Sequence, residues 1–130
     1  MSDETISQLI EGRCIFTPSG VTSATELPWN AHPSFPGVSL KHLVTGAATG
    51  GALSCHLVRV ALGGRLERHV HAGQWELHEV VAGSGTADLN GEQAVYAPGV
   101  MAVIPKGAPH AVTAGEDGLY LFAKFFPALC

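Results

Sequence analysis

From residue 38 onward, apolar positions fall in short runs that end at glycine. Residues 38–45 alternate roughly between apolar and polar and stop at Gly46, while 52–62 are rich in Val and Leu and stop at Gly63-Gly64. A short run covers 67–71, and another covers 75–82 before Gly83-Ser84-Gly85. Residues 86–89 and 92–96 flank Asn90-Gly91, the dipeptide that most favours a tight hairpin turn. Residues 100–104 are continuously apolar, and 109–113 and 119–126 complete the set. Short runs with turns every eight to twelve residues or so, and no helical period between them, predict an all-β sandwich or barrel.

The first 37 residues follow a different pattern. Ser2 and Asp3 are N-cap residues, Ile6, Leu9 and Ile10 form one apolar stripe, and Gly12 closes it, which predicts a short helix over 1–12. Residues 13–17 predict a strand. Pro28, Pro33 and Pro36 then forbid a helix or a central strand. The segment reads as an extended cover with Trp29 and Phe35 as apolar anchors. The chain is therefore expected to divide into an arm and covering segment, 1–37, and a barrel, 38–130.

Composition narrows the function. Hydrophobic residues make up 46% of the 130 and charged residues 14%, which argues for one packed domain and against disorder. A net charge of −4 and the lack of a basic stripe argue against a nucleic-acid partner. No apolar run approaches the ~20 residues of a membrane span, and the acidic start lacks the form of a signal peptide, so no membrane partner is expected. Cys14, Cys55 and Cys130 are widely spaced and odd in number, which points to free thiols and a cytoplasmic location. The apolar arm, the Trp29–Phe35 segment and the apolar last strand exceed what one small barrel must cover, and they predict a homodimer.

The candidate chemistry lies on the strands. Because strand side chains alternate faces, His69 and His71 point the same way, as do Glu76, His78 and Val80. Trp75 and Glu79 have the opposite parity and should face outward. His110 follows the turn Pro105-Lys106-Gly107. Imidazoles and a carboxylate together suit Fe, Mn, Zn or Ni, and four protein ligands leave about two octahedral positions for water, substrate or O₂. His32 and His42 read as ordinary polar residues, and His56, in an apolar strand, as a hydrogen-bonded core histidine. In the last strand Phe122 is the expected pocket wall.

The full spacing resembles a known family. Gly63-x5-His69-x-His71-x4-Glu76-x6-Gly83 is similar to the first motif of the cupin superfamily, and Gly99-x5-Pro105-x-Gly107-x2-His110 to the second. The short spacer between them, 84–98, is similar to that of small single-domain cupins. The resemblance implies a double-stranded β-helix, or jelly-roll barrel, with one divalent transition metal ion held by His69, His71, Glu76 and His110. Two positions depart from the pattern. Ala114 stands where the family usually has Asn, and His78 stands where it generally has an apolar residue. His78 is the candidate catalytic residue, with three roles open: alternative ligand, a group orienting Glu76, or a general acid/base. The resemblance implies a small metal-dependent enzyme acting on a small organic substrate, with an Fe(II) dioxygenase as the leading case. A non-catalytic binding or sensor module is the alternative, and a structural or assembly protein the third reading. The superfold hosts many chemistries, so the reaction and substrate stay open.

Overall fold

The computed structural model of the protein describes residues 10–130, so the helix expected over 1–12 lies almost wholly outside the described residues. The strands are β1 (Cys14–Thr17), β2 (Gly20–Ser23), β3 (Asn30–Ala31), β4 (Val38–Val44), β5 (Ser54–Val60), β6 (Arg65–His69), β7 (Trp75–Leu89), β8 (Glu92–Tyr96), β9 (Met101–Ile104) and β10 (His110–Phe126). The described helical segments are a 3-10 turn at Ala24–Glu26 and a single turn at Gly46–Thr49. The fold is all-β, as the glycine-punctuated runs predict.

β1 and β2 form a separate hairpin. The other eight strands form one sheet in the order β3-β4-β5-β10-β7-β8, with β6 added to β10 and β9 to β7. The hydrogen-bonded path does not close into a cylinder. The sheet nevertheless wraps around a single interior, because β4 to β10 each contribute to one apolar cluster that includes Val38, Val58, Leu66, Val80, Tyr96, Ala102 and Leu121. A flat sheet could not bring side chains from all of these strands together.

Two runs that the sequence presents as separate strands are continuous. Residues 75–82 and 86–89 are one strand, β7, and 109–113 and 119–126 fall largely in one strand, β10. The register between them slips at the same place: Ala114 faces Gly85 and Leu119 faces Gly83, so the intervening residues of β10 bulge. Gly83 has φ +81°, and a Cβ there would fall 2.2 Å from the Gly118 carbonyl oxygen. Glycine at this point does not end the strands. It lets two paired strands bend together.

The opposite face of the sheet carries a second apolar cluster of Leu43, Leu57, Ala82 and Phe122, covered by Ile10, Ile15 and Ala24. Lys41 Nζ donates to the Ala24 carbonyl at 2.8 Å, tying the cover to β4. The proline-rich segment anchors as expected. Trp29 packs against this second cluster with the Arg59 guanidinium 4.2 Å from its ring, and Phe35 packs against the first. Its one strand, β3, is two residues long and pairs only with β4, at the sheet edge.

Candidate metal centre

Sheet register places the histidines. β6 pairs with β10 so that His69 faces His110, and β7 lies between β10 and β9 with Glu76 facing Phe125 on one side and Ile104 on the other. His71 follows β6, and its carbonyl accepts the Gly107 N–H at 3.0 Å, so the turn before His110 is pinned to the segment carrying His71.

Ligating atoms of His69, His71 and His110 lie within 4.8 Å of one another, and so do those of Glu76, His78 and His110. Glu76 Oε1 lies 3.0 Å from His110 Nε2 and 3.7 Å from His71 Nε2. The structure therefore gathers all five residues singled out in the sequence, with His110 common to both groups.

Hydrogen bonds fix which nitrogen of each ring is free. His69 Nδ1 lies 2.6 Å from the Glu67 carbonyl and His110 Nδ1 lies 3.0 Å from the Ala108 carbonyl. A carbonyl only accepts, so Nδ1 carries a proton in both rings, and the lone pair of the neutral form lies on Nε2. His78 differs, because both of its nitrogens are engaged. Nε2 lies 2.7 Å from Glu76 Oε2 and Nδ1 lies 2.8 Å from the Tyr96 hydroxyl. With Glu76 ionised, His78 Nε2–H donates to it, and Nδ1 shares the second hydrogen bond with the Tyr96 hydroxyl.

Two atoms are left over. Glu76 Oε1 and His110 Nε2 are buried without a hydrogen-bond partner, although they face each other at 3.0 Å. A bare carboxylate oxygen against an imidazole lone pair is repulsive unless a cation or proton lies between them. Buried polar atoms are rarely left in this state. The donor set, imidazole nitrogens with one carboxylate oxygen, suits a divalent transition ion, so the residues fit the metal that the sequence implies.

The electrostatics set His110 apart from His69 and His71. Burial of Glu76 pushes its carboxyl up, but the charge and hydrogen bond of His78 and the proximity of His110 outweigh it and hold the group well below the usual carboxylate range. Burial pushes His110 down, and the Glu76 carboxylate and Ala108 carbonyl more than offset it, so a proton competes with a metal ion for Nε2. Burial lowers His69 and His71, which favours the neutral, metal-binding form.

The cluster borders a cavity of about 270 Å³. Its walls are mostly apolar, including Phe35, Leu40, Val58, Leu121, Ala123 and Phe125, and among the described residues no Lys or Arg lines it. Phe125, not Phe122, is the pocket aromatic of β10. Glu76 faces Phe125 across the ladder, which puts Leu121, Ala123 and Phe125 on the pocket side, while Phe122 is buried on the other face. The sequence shows two apolar parities in this strand and does not supply the register that separates them. His32, read as an ordinary polar residue, also lines the cavity and stacks on Phe35 at 4.5 Å between ring centroids. Tyr96 gave no signal, because its role depends on β8 lying beside the second half of β7. His56 is a fully buried, hydrogen-bonded histidine, as expected.

A curled all-β sheet enclosing histidines and a carboxylate defines a barrel protein with a candidate metal site. Residues 56–122, just over half of the chain, match the cupin domain model, and the chain belongs to the cupin family. No curated protein matches the sequence. Among solved structures, the chain is similar to KdgF from a Halomonas species, at 24% identity and TM-score 0.69, over 79% of this chain and 90% of that one. It is also similar to a predicted oxalate decarboxylase from Thermotoga maritima, at 19% identity and TM-score 0.72, over 79% of this chain and 95% of that one. A third is an RmlC-like cupin from Shewanella frigidimarina, at 18% identity and TM-score 0.72, over 83% and 90% of the two chains. These likenesses concern the fold.

Proposed function

We propose that the protein is a metal-dependent enzyme in which His69, His71, Glu76 and His110 hold one divalent transition ion, Fe, Mn, Zn or Ni, beside a pocket for a small organic substrate. The observation that carries this reading is the pair of buried, unpartnered atoms, Glu76 Oε1 and His110 Nε2. The ion would supply Lewis acidity and, if it is Fe(II), a place for O₂. The chain's own residues supply the rest. Apolar walls exclude water, and with no cation lining the pocket among the described residues the walls suit a substrate with a largely uncharged body. The arm and covering segment, 1–37, contribute His32 and Phe35 to the pocket wall.

His78 enters as a positioning residue. It holds Glu76 Oε2 and leaves Oε1 directed at His71 and His110, while Tyr96 holds His78 in turn. Dioxygenase activity is the leading reaction class. Two neighbours whose names describe enzymes, the predicted oxalate decarboxylase and an ectoine synthase from P. lautus, support catalysis on this barrel in general. The free cysteines Cys14, Cys55 and Cys130 support a cytoplasmic setting, and an exposed apolar patch on β7, β9 and β10 supports a homodimer. Among the described residues, no helix is long and apolar enough to cross a membrane.

Metal analysis of protein purified without a nickel column tests the site. Wild type should carry about one equivalent in this centre, and the His69→Ala/His71→Ala variant should lose it. Equal metal content in the two would end the proposal. Oxygen consumption by Fe(II)-loaded protein, screened across catechols, diketones, flavonols and thiols, tests the reaction class. No uptake with any of them would leave the binding or sensor reading in its place.

A further inference from the structure

A second set of metal-binding side chains converges beside the pocket, on residues that do not line it. His42 in β4 and His56 in β5 are direct cross-strand partners, so their side chains emerge on the same face. Cys130 is brought to them by the C-terminal segment. Three hydrogen bonds clip that segment to residues 46–54: Gly46 N–H to the Cys130 carbonyl, Ala128 N–H to the Gly51 carbonyl, and Leu129 N–H to Ser54 Oγ. One ligand atom from each of the three residues lies within 4.8 Å of the other two.

We propose that His42, His56 and Cys130 form a second metal site, which takes a borderline-soft divalent ion of the zinc type through two imidazole nitrogens and a thiolate.

The atoms face one another. His42 Nδ1 lies 2.8 Å from His56 Nδ1 and 3.9 Å from Cys130 Sγ. In a tetrahedral site with Zn–N of about 2.0–2.1 Å and Zn–S of about 2.3 Å, ligand nitrogens stand ~3.4 Å apart and a nitrogen and sulfur ~3.6 Å apart. Two facing imidazole nitrogens at 2.8 Å must share a proton, and an ion would take that proton's place after the rings separate by about half an ångström.

The surroundings are those of a built site. His56 is fully buried, and its Nε2 lies 2.8 Å from Ser54 Oγ, also fully buried, which already accepts the Leu129 N–H. Ser54 Oγ can accept His56 Nε2–H as well, which leaves His56 Nδ1 as the lone pair directed at His42. Cys130 is exposed, so an ion there would keep a solvent-facing fourth position. Two imidazoles and a thiolate select zinc-like ions over Mg²⁺ or Ca²⁺, which prefer all-oxygen shells. Binding releases the thiol proton of Cys130 to solvent, and the proton displaced from between the two Nδ1 atoms is rehoused on His42 Nε2 as the ring changes tautomer. The two centres share no residue, and Phe125 stands next to both, its ring centroid 5.6 Å from that of His56 and 4.9 Å from that of His71.

Chelator-stripped full-length chain, free of tag histidines, is titrated with Co²⁺ as the probe. Wild type should bind two equivalents and show a thiolate-to-cobalt charge-transfer band in the near ultraviolet. Cys130→Ser and His42→Ala, both at accessible positions, should each lose the band and one equivalent. The His69→Ala/His71→Ala variant should keep the band, which separates this site from the pocket centre whether or not that centre holds metal. Zn²⁺ should also protect Cys130, but not the exposed Cys14, from alkylation. No band in wild type, or a band that survives either Cys130→Ser or His42→Ala, would overturn the proposal.

Discussion

Glu76 divides its two oxygens between different tasks: Oε2 receives the His78 proton, and Oε1 faces His71 and His110 with no hydrogen bond of its own. Removing His78 should therefore act on the metal through Glu76. His78→Leu is expected to weaken metal affinity about 10–100-fold, and His78→Gln, which keeps an N–H donor, to restore part of it. Competition with a chromophoric chelator measures both. Unchanged affinity in His78→Leu, with loss of one limb of the pH–rate profile, would instead make His78 an acid/base group. The candidate ligands were legible in the chain because alternation puts His69 and His71 on one face and because the spacing from them to Glu76 and His110 resembles the cupin motifs. The partners of those residues were not. The Tyr96 contact to His78 and the His42 contact to His56 depend on which strands become neighbours.

Among the elements, β7 and β10 do most to shape the molecule. Most turns after residue 38 were readable from glycine and proline, including the Asn90-Gly91 hairpin between β7 and β8, while β2 and β3 in the covering segment were not. Gly83-Ser84-Gly85 and the Gly115–Gly118 stretch misled, because glycine marks both chain reversals and bends within a paired strand, and the local sequence is the same for each. The distinction can be measured. Gly83→Ala must place a side chain at φ +81° and against the Gly118 carbonyl, whereas Gly91 has φ +93° with open space around it. Gly83→Ala should cost about 3 kcal/mol or more and Gly91→Ala about 1 kcal/mol, read from urea unfolding midpoints. Equal losses would show that the bend does not require the close approach.

For the whole molecule, the arrangement of apolar surface predicts assembly. The cover over Leu57 and Phe122 hides one part of the outer face. Another part remains open: Trp75 and its cross-strand partner Phe126, with Met101 and Val103 on the neighbouring strand β9, are all exposed. Trp75 faces outward, as its parity requires. β9 pairs only with β7, so a second copy could cover this patch at a sheet edge. Light scattering should give twice the 13.5 kDa chain mass, and a Trp75→Glu/Val103→Glu variant should give a single chain. A monomeric wild type would remove the proposal. The expectation of a partner surface came from the apolar excess of the sequence, and the register of β7, β9 and β10 gives that expectation a candidate location.

Glu76 and His110 stand near opposite ends of the same β7–β10 ladder: Glu76 faces Phe125, while His110 faces Leu89. An unbent strand from Glu76 to Leu89 would hold them roughly 40 Å apart. Their side chains instead meet at 3.0 Å, because the ladder curls back on itself. An ion held between them would act as the buckle of a hoop, fastening the two ends of one ribbon, and its binding energy would be energy of closure. Stripping the metal should then speed amide hydrogen exchange at both ends of β7 and β10 while their shared bend keeps its protection. Exchange that changes only at the ligand residues would mean that the hoop stays shut without its buckle.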